Sequence, residues 1–321
     1  METSINIFLQ SLGAGLQSLS KLLSFLGTES FYILVMPAVY WCVDALSGLR
    51  MGMILVLSAT LNGIVKLIFK SPRPYWVDKR VVPIAQERSF GLPSGHAMNA
   101  ASLWGQISRE FQKRWLTWVC IAMIVLIGLS RVVLGVHYTF DVAVGWVLGL
   151  AVYLLFNHYY TPLAARVKIL PLKRQLALAL LSSLLLVTLI ILADLPGRTW
   201  VMPAAWAEGA GQINPFDSRG LYTVAGLWFG FLAGFMLLRA QLGTLQSRFG
   251  GIHLLWRYLL GLAGVLLIYM GLGKFIPKTL TISTFLLQYL HSALLGFWIA
   301  YLAPRLFKTL GIATFSKPGQ G

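Results

Sequence analysis

The chain has 321 residues, 57% of them hydrophobic and only 11% charged, with a mean hydropathy of +0.74. That little polar surface cannot cover a water-soluble globule of this size. The formal net charge of +16 does not indicate nucleic acid, because the basic residues lie in short segments between apolar runs and form no stripe interleaved with stacking aromatics.

The N-terminus has neither the basic start nor the small-residue cleavage site of a signal peptide, so the first span is expected to act as the targeting signal. Residues 5–26 read as an amphipathic surface helix within an N-terminal segment, 1–30. A crossing helix needs about 20 mostly apolar residues. Nine stretches qualify: 31–47, 51–70, 96–110, 115–134, 138–158, 176–194, 221–239, 256–275 and 284–303. The expected fold class is therefore all-α, a polytopic helical membrane protein. The third stretch is short and carries Asn99, Ser102 and Gln106, which fits a helix shielded by its neighbours. The basic loop 159–175 is expected to divide a core, 31–158 with spans one to five, from an additional helical bundle, 159–321 with spans six to nine, the sixth completing the core. Cys42 and Cys120 fall within apolar runs and provide neither a disulfide framework nor metal-ligand spacing.

Basic residues collect in the loops after odd-numbered spans, among them Arg50, Arg109, Lys113, Arg114, Arg166, Lys168, Lys173, Arg174, Arg239, Arg305 and Lys308, with only Asp44 and Glu110 as acids there. By the positive-inside rule these loops are cytoplasmic. The N-terminus is then outside and the C-terminus cytoplasmic, and three polar blocks described next share the non-cytoplasmic face.

The first block is Lys66 followed by Arg73-Pro74. An intramembrane lysine is costly unless it meets an anion, although one near a span end can also snorkel to the head groups. Arg73 adds a planar donor fork suited to phosphate oxygens, on a loop fixed by Pro72 and Pro74. The second block, Pro93-Ser94-Gly95-His96, opens the third span, where free backbone N–H groups attract anions. Gly95 permits close approach, and Ser94 is either a phosphate donor, a helix cap, or both. His96 stands beside that site as a candidate general acid. In the third block, Ser130-Arg131 precedes His137, and Asp141 lies one helical turn beyond it. An Asp bonded to one ring nitrogen leaves the other as a nucleophile, although such a pair can also be structural. Arg131 supplies another cation.

Together and in order, Lys-x6-Arg-Pro, Pro-Ser-Gly-His and Ser-Arg-x5-His-x3-Asp resemble the three-part signature of the type 2 phosphatidic acid phosphatase family, over residues 50–158. The resemblance implies a six-helix core in which Lys66, Arg73, Ser94, Gly95 and Arg131 hold the phosphate. It also implies that His137 forms a phosphohistidine, that Asp141 orients it, and that His96 protonates the leaving oxygen and then activates water. No cofactor or metal is expected, and the sequence shows no carboxylate cluster for magnesium.

The expected activity is hydrolysis of a lipid phosphate monoester or pyrophosphate in the bilayer. Two alternatives stay open: a sugar-phosphate phosphatase resembling glucose-6-phosphatase, suggested by Arg73-Pro74-Tyr75-Trp76, and a membrane transporter. Tyr75 and Trp76 read first as an interfacial aromatic belt. The long loop 195–220 is a candidate cover for the site. Gly226, Gly230 and Gly234 favour close helix packing, within the bundle or in a homodimer.

Overall fold

A computed structural model describes residues 2–197, 199–246, 250–277 and 279–316. Among these residues the chain is a succession of helices. They are α1 (Glu2–Ser11), α2 (Ala14–Phe25), α3 (Glu29–Ala38), α4 (Ala45–Phe69), the short α5 (Pro74–Val77), α6 (Gly95–Phe111), α7 (Arg114–Val133), α8 (Thr139–Lys168) and α9 (Leu172–Asp194). The chain continues through α10 (Ala204–Ala210), α11 (Arg219–Gln241), α12 (Gly251–Leu266), α13 (Ile282–Phe297) and α14 (Ala303–Thr309). Strands β1 (Leu245–Gln246) and β2 (Thr314–Phe315) form a small antiparallel pair.

All nine expected stretches are helical, but seven helices among the described residues are long and apolar enough to span, or eight if the bent pair Ala14–Phe25 and Glu29–Val43 is one span. The difference from nine has two causes. The first stretch is short and bends by 47° against α2. Helix α6 has only 17 residues, and Asn99, Ser102 and Gln106 lower its hydropathy. Its length is nevertheless about 25 Å at the usual helical rise. It starts at the same end as the close of α7, a candidate span that begins three residues after α6 stops, so the two run past each other over a similar depth.

The chain forms two compact units that do not follow chain order. One comprises 1–32, 57–157 and 189–218; the other comprises 33–56, 158–188 and 219–321. In the first unit α6 and α2 both pack on α7. Backbone meets backbone where α8 passes α6: a Cβ on Gly145 would stand 2.8 Å from the Ser94 carbonyl, and one on Gly149 would collide with the Met98 carbonyl. Residues 5–26 form two helices rather than one, broken before Ala14 at Gly13, whose φ of 105° suits glycine.

In the second unit α11 packs along α13. Gly226 faces the Tyr289 carbonyl, Gly230 the Ala293 carbonyl and Gly234 the Ala300 side chain. The small-residue stripe therefore serves packing inside this unit. Ser183 ties the same pair together, donating to the Ala225 carbonyl at 2.7 Å and lying 2.9 Å from the Tyr289 hydroxyl.

Candidate active site

All three polar blocks converge at one end of the first unit, carried by the end of α4, the start of α6, and the turn between α7 and α8. Lys66, Arg73, Ser94, Arg131, His137 and Asp141 are all buried. Charges withdrawn from water this far need partners, and each cation has them.

Lys66, in the last turn of α4, donates to the Phe90 carbonyl at 2.5 Å and to Ser89 Oγ at 3.2 Å. Arg73 sits just before α5, which Pro74 opens. Its Nε donates to the Ser89 carbonyl at 2.7 Å and its Nη2 to the Phe90 carbonyl at 3.1 Å. Its Nη1 donates to the Val136 carbonyl at 2.8 Å and lies 3.3 Å from His137 Nε2. Ser89 and Phe90, which the sequence did not single out, are thus the joint acceptors of two expected phosphate-binding cations.

His137 follows a turn in which Gly135 takes a φ of 72°, a left-handed conformation that glycine adopts without cost. Its Nδ1 lies 3.2 Å from Asp141 Oδ2, and the Tyr138 N–H donates to that same oxygen at 3.0 Å. The carboxylate at the start of α8 therefore fixes the Nδ1–H tautomer and leaves Nε2 facing the Arg73 guanidinium. Ser94 caps α6, its Oγ accepting from the Ala97 N–H at 3.5 Å, and its own N–H donates to the Asp141 carbonyl at 3.0 Å. Gly95 lies against Asn62, whose Nδ2 donates to the Pro93 carbonyl at 3.2 Å. The buried Nε2 of His96 has no hydrogen-bond partner among the described residues.

Glu87 completes the cluster and was not anticipated. Its carboxylate is ion-paired to Arg131 through one oxygen and lies 3.5 Å from Arg73 Nη2 through the other. Burial pushes this carboxyl up, but Arg73 and Arg131, with smaller help from His96 and Lys66, outweigh it and hold the group at about 2. Arg131 also donates to the hydroxyl of Ser24 on α2. A loop carboxylate with no motif around it gives no sign in the sequence that it will meet two guanidiniums.

The aromatics beside the site form a core and not an interfacial belt. Tyr75 and Trp76 are buried and cluster with Phe90, Val81, Leu134 and Val136. Phe90 packs edge-on against Trp76, Trp200 and Phe216, at ring centroid distances of 6.2, 5.4 and 5.1 Å. Trp200 and Phe216 therefore lie over the segment whose carbonyls Lys66 and Arg73 hold.

Family models match in two places: the PAP2 superfamily over residues 47–164, and the PAP2 superfamily phosphatase, transmembrane extension, over 222–315. Phosphatidylglycerophosphatase B of Bacillus subtilis (strain 168) is 30% identical over 147 residues, covering 42% of this chain and 70% of that protein. Sphingosine-1-phosphate phosphatase 1 of Mus musculus is 28% identical over 137 residues, 41% of this chain and 32% of the relative, so the chain spans about a third of that protein's length. The crystal structure of the first transmembrane PAP2 type phosphatidylglycerolphosphate phosphatase from Bacillus subtilis is 26% identical, with a TM-score of 0.43, covering 49% of this chain and 83% of that one.

Proposed function

Because the chain belongs to the PAP2 superfamily, we propose that it is an integral-membrane phosphatase that hydrolyses a lipid phosphate monoester or pyrophosphate through a phosphohistidine, without a divalent metal. The observation that carries this reading is the disposition of His137, with Nδ1 tied to Asp141 and Nε2 3.3 Å from a guanidinium nitrogen of Arg73.

In this reading Nε2 attacks phosphorus while Lys66, Arg73 and Arg131 stabilise the charge on the equatorial oxygens. The Nε2–P bond forms as the P–O bond to the leaving group breaks, and His96 gives that oxygen a proton. Asp141 stabilises the developing imidazolium, and Ser94 and Gly95 present the start of α6 to the phosphate. His96 then takes a proton from water as the water oxygen bonds to phosphorus; the Nε2–P bond breaks, its electron pair returns to His137 as neutral imidazole, and inorganic phosphate leaves. The site opens on the non-cytoplasmic face, with the N-terminus outside and the C-terminus cytoplasmic, as the distribution of Lys and Arg supports. A lipid substrate is favoured over a sugar phosphate by the names of both relatives, a phosphatidylglycerophosphatase and a sphingosine-1-phosphate phosphatase.

The test is phosphate release by the purified protein in detergent with EDTA, comparing phosphatidic acid, a polyprenyl pyrophosphate, a sphingoid phosphate and glucose 6-phosphate. Release that survives EDTA and disappears in His137→Ala supports the mechanism, and the preferred substrate identifies the class. Loss of release in EDTA, restored by a divalent metal, overturns the metal-free reading.

A further inference from the structure

Helix α1 lies outside the segments that the family models match, yet it reaches the turn that carries His137. Asn6 is fully buried, and its Nδ2 donates to two carbonyls, Val132 at 2.8 Å and His137 at 3.0 Å. These carbonyls are at the last turn of α7 and at the nucleophile itself, so one amide fastens both ends of the turn. Between them the backbone reverses at Gly135, where the Gly135 N–H donates to the Val132 carbonyl at 3.0 Å and the Val136 N–H to the Arg131 carbonyl at 3.2 Å, while the His137 carbonyl beyond the turn is held by Asn6. The Val136 carbonyl is taken by Arg73. With two carbonyls converging on it, the nitrogen of the Asn6 amide must face the turn.

Asn6 Oδ1 is buried without a hydrogen-bond partner among the described residues. An apolar side chain of similar size would fill the space without that cost, so the donor and not the volume explains an asparagine here. The surrounding contacts hold α1 in register. Gln10, one turn on, donates to the Val82 carbonyl at 2.7 Å and accepts from the Val82 N–H at 3.1 Å. Leu9 packs against the cluster of Ala97, Val132 and Val142.

We infer that Asn6 is a positioning residue that sets where His137 stands relative to the phosphate-binding cations. The inference rests on the reading of His137 as the nucleophile. Near-attack geometry is steep in distance, and a displacement of about 1 Å can cost roughly a hundredfold in rate. Because Asn6 does not touch the phosphate, its loss should act on the chemical step and leave ground-state binding nearly alone.

The experiment compares the wild-type full chain, His137→Ala, Asn6→Leu and Asn6→Asp in detergent, with kcat expressed per folded protein. Asn6→Leu is expected to lower kcat about tenfold to a hundredfold while KM and inhibition by inorganic phosphate change less than about threefold. In Asn6→Asp only the protonated acid can donate, so its activity relative to wild type should fall as pH rises through the carboxyl titration. Asn6→Leu with kcat within about twofold of wild type, whatever its thermal midpoint, overturns the inference. If Asn6→Leu does not fold, a pH-independent activity ratio for Asn6→Asp overturns it instead. An inactive wild type, or an undiminished His137→Ala, defeats the phosphohistidine reading and the inference with it. An active wild type that depends on His137 with an indifferent Asn6 defeats the inference alone.

Discussion

Glu87 is ion-paired to Arg131 inside the cluster, and its second carboxylate oxygen lies 3.5 Å from Arg73. A carboxylate thus occupies the two guanidiniums proposed to hold phosphate, and an oxyanion entering there has to compete with it. Charge-assisted hydrogen bonds of this kind are worth about 1.5–3 kcal/mol each. Glu87→Gln is therefore expected to tighten inhibition by vanadate or phosphate about tenfold, since 1.4 kcal/mol corresponds to one decade. Unchanged or weaker inhibition would show that no such competition exists.

The same carboxylate makes stability depend on acidity. Its folded-state value, about 2, is below the ordinary 4.5, so folding favours the charged form. That contribution is complete above pH 4.5 and is lost as the pH falls toward about 2. Thermal melts of wild type should show the midpoint falling across this window, and Glu87→Gln should show a flatter slope there. Equal slopes would assign the acid sensitivity to other groups.

Asp141→Asn keeps the shape of the side chain but allows the amide to present a donor to His137 Nδ1, favouring the wrong tautomer. Loss of kcat by roughly three to four orders of magnitude is expected, by analogy with the asparagine variant of a serine-protease triad. Little change in phosphate inhibition should accompany it, and stopped-flow or single-turnover release would measure both. A loss of less than tenfold would remove Asp141 from the orienting role.

Phe216→Ala cuts into the aromatic cluster above Phe90, where the two rings meet at 5.1 Å. Truncating a packed phenylalanine costs about 3–5 kcal/mol. A lower thermal midpoint is expected, together with faster proteolysis within 195–218. Wild-type proteolysis at this loop would contradict the packing.

Gly230→Ala tests the second unit. The added Cβ would strike the Ala293 carbonyl, a backbone atom that cannot rotate away. Overpacking of this kind costs about 1–3 kcal/mol, which should read as a fall of several degrees in midpoint. An unchanged midpoint would mean that α11 and α13 separate without penalty.

The residues legible in the sequence were those whose meaning lies in local order. Lys66 and Arg73 flank a proline-bounded loop, Ser94 opens a helix, and His137 precedes Asp141 by one turn. Each is recognisable before any fold is known, and the structure brings them together. What the sequence could not convey depends on distant segments meeting. Asn6 reaches Val132 and His137 across more than 120 residues. Glu87 gains its significance only when α7 places Arg131 beside it. Tyr75 and Trp76 next to an apolar run look like membrane-interface residues until Trp200, Trp206 and Phe216 pack against their cluster. Helix α6 was legible as a helix, yet its polar positions make sense only through neighbours: Asn99 accepts from Ser58 at 2.7 Å, and Gln106 bonds Asn157 at 2.9 Å.

Three glycines stand where segments of the site touch. A Cβ on Gly91 would lie 2.6 Å from the Pro72 carbonyl and 3.3 Å from Asp141 Oδ2; Gly145 abuts the Ser94 carbonyl, and Gly149 the Met98 carbonyl. Where side chains separate two elements, compensating exchanges can keep the core filled while the spacing drifts by fractions of an ångström. Here only glycine and the Cβ atoms of Ala97 and Ala101 lie between the elements, which leaves little to exchange. The spacing of the loop at Pro72, the helix that opens at Ser94 and the helix that carries Asp141 is set by backbone carbonyls and by the small side chains of Ala97 and Ala101. A side chain larger than glycine at any of these positions would push the elements apart, so the relative depth of Ser94 and Asp141 is fixed by contacts that substitution can only widen.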